Sequence, residues 1–308
     1  MENKMLEEYW RFATKRQNVF YKKLEKQPEP YTNDAILQKY KFCNAYRVLD
    51  RVSQFLLKEV IYCNKKYSIE DTVFRIIFFK IFNLQSTWIE TEKHFNEVSL
   101  KTFDFDKYSK FFTNLKKTQA IYNCAYIMCA NKVYGFNYKH ENHLYLLHKM
   151  FKEDNLPKKL TTCKTFKDAF NVMVSYPLIG NFLAYQYVTD LNYSEHFNWD
   201  DNFFTIAGPG SKRGIQKVFG QVKNYEEKIM ETYLKQEETL KYFGLSFKYL
   251  KNHKLAPIDI QNLFCEFDKY LREANPSLKS NRTKIKTKYK KTNNDINYIL
   301  PKKWNAGL

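Results

Sequence analysis

Glycine is scarce in this 308-residue chain, and five of its eight glycines fall between Gly180 and Gly220. Backbone freedom is therefore concentrated in one short stretch. Cysteine is sparse as well, since the six cysteines include no C-x-x-C pair. This spacing excludes the common zinc and iron–sulfur motifs and predicts reduced thiols. Nothing resembles a secretory signal, so we expect an intracellular protein, in the cytoplasm of a bacterial or phage-infected cell or in a eukaryotic nucleus.

Two further features that the sequence lacks, and one that is scarce, narrow the range of possible functions. No run of 18 apolar residues exists, so no membrane span is predicted. There is no G-x-x-x-x-G-K-[ST] sequence, which argues against an autonomous P-loop kinase. Acidic residues are few, with 33 Asp and Glu against 51 Lys and Arg and a net charge of +18. This excess predicts a polyanionic partner, with nucleic acid ahead of an acidic membrane surface.

What the chain does have is a helix–turn–helix pattern over residues 165–191. Thr165 suits the N-cap of a first helix, Pro177 ends that helix, and a second begins at Asn181. The turn through Ile179, Gly180 and Asn181 is expected to direct free N–H groups outward at a helix N-terminus, where a phosphate would bind well. An ordinary turn between helices explains the same residues, and the pattern alone favours that simpler interpretation.

A Gly-Pro-Gly segment follows at residues 207–214. Such a run is expected to be neither helix nor regular strand, and it carries Lys212 and Arg213 on a flexible backbone that suits phosphate contacts. Asp200 and Asp201 stand between this segment and the hairpin, 20 and 21 residues beyond Gly180. A hairpin followed at this interval by an aspartate resembles the helix-hairpin-helix DNA glycosylase superfamily, where the resemblance implies a role for that aspartate in base chemistry.

Apolar periodicity predicts several other helices, at residues 4–26, 43–62, 71–84, 88–95, 104–117, 119–130, 225–243 and 257–272. Along the second of these, Arg47, Arg51, Gln54 and Lys58 recur on one face, which suits phosphate or base-edge contacts and equally suits a solvated basic face. His140, His143 and His148 lack a carboxylate to complete a metal set. We therefore expect neither a metal nor another cofactor.

The composition changes near residue 275. Seven basic residues and no acid lie between Lys279 and Lys291. We expect a helical domain over residues 1–275 and a basic, partly flexible tail over 276–308, which would act as a mobile arm on phosphates without sequence preference.

Four blocks occur in one order: a block within 37–51 (residues 37–42 with 46–51), the hairpin 179–185, the segment 207–210, and residues 259–270. Together they resemble the alpha-glutamyl/putrescinyl thymine pyrophosphorylase family, also described as the helical domain of 5-hydroxymethyluracil DNA kinases. The likeness covers most of residues 5–275.

The resemblance implies an all-α, helix-hairpin-helix glycosylase-like fold that works on DNA. In such enzymes an amine displaces pyrophosphate from the 5-hydroxymethyl group of a uracil base, and the base is expected to leave the helix stack. The DNA is expected to be double-stranded with an extruded base, or single-stranded. A separate kinase or another modification enzyme would be a further partner.

This chemistry requires a carboxylate that takes a proton from the amine and cations that hold the pyrophosphate. Candidates for the carboxylate are Asp201, then Asp190 or Glu266. Candidates for nucleic-acid and phosphate binding are Arg47, Arg51, Gln54, Ile179, Gly180, Asn181, Gly208, Gly210, Lys212, Arg213 and Lys269. Two alternatives stay open: a DNA glycosylase that excises a modified pyrimidine, and a non-catalytic nucleic-acid-binding subunit.

Overall fold

The protein is helical in the computed structural model, which describes residues 2–278, 280–285, 287–291 and 297–308. Its α-helices follow in this order: α1 (Glu2–Leu24), α2 (Ala35–Lys39), α3 (Arg51–Phe55), α4 (Ile69–Phe82), α5 (Gln85–Phe95), α6 (Phe105–Thr118), α7 (Lys139–His148), α8 (Leu156–Thr161), α9 (Phe166–Val174), α10 (Asn181–Leu191), α11 (Pro209–Phe219), α12 (Tyr225–Leu234), α13 (Gln236–Tyr242) and α14 (Pro257–Ala274). In the described ranges, β pairing is limited to isolated bridges. The predicted all-α class is confirmed.

The chain divides into two compact units. Unit 1 comprises Met1–Asp50, Asp201–Leu300 and Trp304–Leu308, and unit 2 comprises Arg51–Asp200 and Pro301–Lys303. The predicted division at residue 275 stays a prediction. No helix in the described part of the chain is both long and apolar enough to cross a bilayer.

Unit 1 is built around the long helix α14. The ring of Tyr9 on α1 stacks on Phe264 with centroids 4.4 Å apart, and its hydroxyl donates to the Ile260 carbonyl at 3.4 Å. Helix α11 lies against the same helix at Gly214, where a Cβ would overlap the Phe264 carbonyl oxygen. Close helix contact therefore depends on the missing side chain at this position.

Unit 2 is built around α4, whose side chains are almost all buried. The helix begins at Ser68, whose hydroxyl accepts from the Asp71 amide, and ends at Asn83 in the left-handed conformation. Burial all round this helix explains its continuous apolar sequence. Arg75 is buried with it, and the guanidinium donates to the carbonyls of Val60, Val98 and Glu59 at 2.9–3.2 Å. These bonds satisfy the donors of a charge that would otherwise be costly to bury.

Three predicted elements differ from the structure. The helix predicted over 43–62 is broken: Arg47–Leu49 forms a 3₁₀ turn, Asp50 is extended, and α3 gives way to a π-helix at Leu56–Ile61. Residues 119–130 form no helix, and there the Asn123 amide donates to the Phe82 carbonyl at 3.0 Å. The helix predicted over 225–243 is divided at Lys235.

The Gly-Pro-Gly segment was also wrongly predicted, because α11 begins inside it. Gly208 is the N-cap, and Pro209 occupies the first helical position, where its missing N–H costs nothing. Gly210, Lys212 and Arg213 are therefore helical rather than on a flexible loop.

The described part of the tail makes hydrogen bonds with residues 23–41, and the partly flexible tail stays a prediction. Lys41 donates its amide to the Thr287 carbonyl at 3.1 Å, and Tyr289 donates its amide to Lys39 at 3.0 Å. Lys23 Nζ donates to the Tyr289 hydroxyl at 2.9 Å. Lys279, Lys286 and residues 292–296, which belong to the predicted tail, lie outside the described residues.

Candidate functional site

The polar side chains of α14 hold the backbone of residues 41–47, which runs antiparallel to the helix. Three hydrogen bonds set this register: Lys269 Nζ to the Lys41 carbonyl (2.6 Å), the Cys43 amide to Glu266 Oε2 (2.8 Å), and the Arg47 amide to Asp259 Oδ1 (2.7 Å). Lys269 also donates to Glu266 Oε2 at 2.6 Å. Two of the predicted site residues, Glu266 and Lys269, are thus paired with each other and with backbone.

Asp259 has a more strongly raised pKa than Asp50, the other carboxyl with a raised pKa near this segment. It is 2% exposed, and its second oxygen accepts from the Ala256 amide at 3.0 Å, which closes the first turn of α14. Burial raises its pKa to about 7, although the two backbone bonds and the Arg47 charge work against the rise. The Asp201 carboxylate adds to the rise. Arg47, Asp201 and Asp259 therefore share one electrostatic environment within unit 1, and Asp201 is the half-buried member.

Asp50 is a second carboxyl with a raised pKa, and it is half-buried. It accepts from the Asn44 amide at 2.8 Å. Burial raises its pKa to about 6, the Glu266 charge adds to the rise, and Arg16 opposes it. Arg16 donates from Nε to the Cys43 carbonyl at 2.8 Å and from Nη2 to Asn44 Oδ1 at 2.6 Å. Its buried guanidinium holds this turn in place, and burial lowers its own pKa.

The raised pKa values of Asp259 and Asp50 predict that the stability of the protein depends on pH. A carboxyl whose pKa is raised by folding stabilises the protein at low pH and loses that contribution as pH rises to the folded-state pKa. For Asp259 the window runs from its ordinary value of 3.8 to about 7. We therefore expect Asp259→Asn to gain stability relative to the parent chain as pH rises from 5 to 8, by about 1–3 kcal/mol.

Urea unfolding of both chains at several pH values measures this difference. The comparison between chains removes the opposite contribution of His140, His143 and His253, whose pKa values burial lowers to about 4. A difference that stays constant across the range would contradict the prediction.

The helix–turn–helix in unit 2 forms as the sequence predicts. Thr165 caps α9, where it exchanges bonds with Asp168 at 2.9 and 3.1 Å. Helix α10 starts at Asn181 after Gly180, which is its N-cap and offers no side chain to the helix N–H groups. Gly180 and Asn181 are exposed, while Ile179 is 3% exposed and anchors the turn. The N-terminus of α10 therefore faces solvent.

Nothing in the fold requires glycine at Gly180. Its backbone is extended, with φ −81° and ψ 170°, and a Cβ there would have no neighbour within 4 Å. Any residue could occupy this position without strain.

The sequence interpretation missed the loop beside this turn, which it assigned to the helix over 119–130. Tyr126 stacks almost parallel on Phe182, with centroids 5.8 Å apart and an interplanar angle of 12°. Tyr126 has a positive φ of 56°, unusual for a bulky residue. The next residue, Ile127, is 60% exposed. An aromatic and apolar surface thus accompanies the exposed helix end.

Asp190 lies in the interior of unit 2. Its carboxylate is 3.1 Å from Lys80 Nζ, and the two side chains are 1% and 3% exposed. Lys80 also donates to Asn83 Oδ1 at 2.9 Å. This placement favours Asp201 over Asp190 as a residue that meets a substrate.

The remaining candidates for phosphate binding differ in their exposure to solvent. Arg51 is exposed at the start of α3, whereas Gln54 on the same helix is 2% exposed. Lys212 is exposed on α11 with its ammonium 5.4 Å from the Tyr225 ring centroid. Gly208 and Gly210 are buried, and a Cβ at Gly210 would overlap Cys265 Sγ. Gly210 therefore serves the packing of α11 against α14.

The histidines are held by hydrogen bonds. His143 Nδ1 and Nε2 lie 2.8 Å from the Tyr122 hydroxyl and 2.9 Å from the Cys129 carbonyl, and His140 Nε2 lies 2.9 Å from the Thr113 hydroxyl. Among the residues with described positions, no group of three His, Cys, Asp or Glu side chains is placed to hold a metal ion.

Comparison with known proteins decides the family. A family model described as the helical domain of 5-hmdU DNA kinase matches residues 3–280. The chain belongs to this family. It is also 25% identical to the 5-hmdU DNA kinase of Bacillus phage SP10 over 321 aligned positions, which cover 96% of this chain and 50% of the phage protein. The chain thus spans about half the length of that relative, and no solved structure gives a significant match.

Three of the four sequence blocks meet on α14. The block at 259–270 lies on α14 itself, the block at 37–51 lies along its polar face, and the block at 207–210 leads into α11 on another face. The likeness to thymine pyrophosphorylases and to glycosylases stays a prediction.

Proposed function

We propose that this chain binds DNA and presents a 5-hydroxymethyluracil base for modification. The observation that carries the proposal is the solvent-facing N-terminus of α10, where Gly180 leaves room that the fold itself does not use. A helix N-terminus offers N–H donors and a positive dipole end to a DNA phosphate. The family match and the net charge of +18 support a polyanionic substrate of this kind.

The adjoining loop supports contact with the bases as well as the backbone. Ile127 and the Tyr126–Phe182 pair expose apolar and aromatic surface next to the proposed phosphate site. Aromatic faces stack on unpaired bases without strong sequence preference. Because these 308 residues hold no Walker-type motif, we assign DNA binding and base presentation to this chain, and phosphoryl transfer to a partner or to a further domain.

Gly180→Ala tests the proposal. A methyl group at this position would occupy the space in front of the helix N–H groups, so we expect affinity for a short duplex with one 5-hydroxymethyluracil to fall about fivefold or more. Folding should be unaffected, because the added Cβ meets nothing within 4 Å. Fluorescence anisotropy at fixed salt measures affinity, and Thr161→Ala, an exposed change in the same unit, is the control. Equal affinity for the parent and Gly180→Ala chains would refute the proposed contact.

A second candidate function is the replacement of pyrophosphate by an amine on the extruded base. Half-buried Asp201 beside Arg47 and Asp259 favours it. In this reaction the amine nitrogen bonds to the 5-methylene carbon as the carbon–oxygen bond breaks and pyrophosphate leaves with the electron pair. The amine proton passes to the Asp201 carboxylate, and Arg47 adds positive charge near the leaving group.

Nucleoside mass spectrometry tests this second function on DNA that carries pyrophosphorylated 5-hydroxymethyluracil, with glutamate or putrescine added. We expect an amine adduct and a loss of about 100-fold or more in its rate for Asp201→Asn. Asp200→Asn, one position earlier and exposed, is the matched control. Free base instead of adduct would indicate a glycosylase. DNA binding without any product would support only the DNA-binding function.

A further inference from the structure

Asp268 lies at the centre of a cluster of three cations in unit 1. Its buried carboxylate is 3.1 Å from Arg213 Nε, 3.0 Å from Lys217 Nζ and 2.5 Å from Arg272 Nη2. The three cationic side chains are only 16%, 6% and 9% exposed. One carboxylate is therefore shared by three largely buried cations, so positive charge exceeds negative charge in the cluster by two.

Several donors in this cluster are unused. Arg272 Nε is buried without a hydrogen-bond partner among the described residues. Arg272 Nη1 donates to the Lys284 carbonyl at 3.3 Å. Arg213 bonds to Asp268 through Nε, and in the described part of the chain its two Nη groups have no hydrogen-bond partner. The guanidinium groups therefore retain donors for a further acceptor.

Asp268 itself remains an anion in this setting. Burial would raise its pKa, but Arg272 and Lys217 outweigh burial and hold the pKa below its ordinary value. The Asp268 carboxylate is thus charged at neutral pH. Partly desolvated positive charge without a counter-charge is costly, and that cost falls when an anion binds.

We propose that Arg213, Lys217 and Arg272 around Asp268 form a binding site for a phosphate-type oxyanion. Arginine forks bind phosphate oxygens in bidentate fashion, and a lysine adds a point charge. Arg213 and Lys217 lie one turn apart on α11, and Arg272 reaches the same carboxylate from α14. Two rigid helices therefore fix the three cations.

The ligand has two possible sources of the same chemistry, a DNA backbone phosphate and free phosphate or pyrophosphate. The site does not rest on the proposed function, because its first test uses inorganic anions alone. A failure of DNA binding would leave that test unaffected.

Thermal unfolding of the full chain in phosphate, pyrophosphate and chloride at matched ionic strength provides the test. We expect pyrophosphate and phosphate to raise Tm by about 3–5 °C above chloride at saturating concentration. Arg213→Gln should lose most of this rise because the Arg213 guanidinium is removed. The variant should still fold, because Lys217 and Arg272 keep their ion pairs with Asp268. Lys235→Gln, which removes an exposed helical ion pair with Glu231, should retain it. No anion-specific rise, or an unchanged rise in Arg213→Gln, would overturn the site.

Asp268→Asn provides a second measurement. Without the carboxylate, the three cations repel one another, so the chain should unfold at lower temperature in chloride and gain more from phosphate than the parent does. An equal or smaller gain would count against the site, and if this variant does not fold, Arg213→Gln still decides. Competition then identifies the source of the anion. Pyrophosphate that displaces duplex DNA from the parent but not from Arg213→Gln indicates a backbone phosphate. Loss of pyrophosphate binding in Arg213→Gln, with unchanged DNA affinity, indicates a free anion.

Discussion

Replacement of Lys80 by methionine is expected to destabilise the protein by about 3–5 kcal/mol. The substitution removes the ammonium 3.1 Å from Asp190 and leaves a carboxylate that is only 1% exposed without its ion-pair partner. A loss of this size is a large fraction of the stability of an ordinary domain. Urea unfolding followed by circular dichroism measures it. A loss below about 1 kcal/mol would show that the pair contributes little.

The double variant Lys80→Met with Asp190→Leu is the matched control. Because both charges are replaced by apolar groups, much of the lost stability should return. The same variant separates a structural from a catalytic Asp190. A folded double variant with full base-modifying activity would remove Asp190 from the catalytic candidates, and a folded but inactive one would support its catalytic role.

Gly214→Ala is expected to have the second large effect, a loss of about 2 kcal/mol or more. The added methyl would overlap the Phe264 carbonyl oxygen. A backbone atom of a packed helix cannot rotate away as a side chain can, so α11 and α14 must separate. Differential scanning calorimetry measures the loss.

Alanine substitutions at two other glycines provide the comparison for this result. Gly210→Ala meets the Cys265 side chain, which has some freedom to move, so a smaller loss is expected. Gly180→Ala meets nothing and should leave the melting temperature unchanged within about 2 °C. If all three changes cost the same stability, close helix contact would not be the reason for Gly214.

The Gly-Pro-Gly segment shows where single-sequence reasoning fails. Composition alone predicts a flexible phosphate loop, whereas Pro209 starts a helix and Gly210 and Gly214 face α14. The partner helix begins more than forty residues later in the chain. No local pattern records which helix a glycine will touch, so the packing reason for these residues is invisible until the tertiary contact is known.

The site residues proposed from the sequence stay predictions. Arg47 and Asp201 were chosen for charge and position, and the structure gives both a common neighbour in Asp259. Asp259 is not among the site residues that the sequence predicts. Its position at the start of a helix beginning with proline was a usable signal for a capping carboxylate, but its burial was not readable from the sequence.

By itself, the sequence determined the all-helical class, the cationic character and the hairpin capped by Thr165, because periodicity, net charge and capping are properties of neighbouring residues along the chain. Tertiary structure alone decided which acids are buried, which glycines are needed for packing and which carboxyls titrate near neutrality. Those properties depend on side chains brought together from distant parts of the sequence, as Arg47 and Asp259 are, and on the water that their packing excludes.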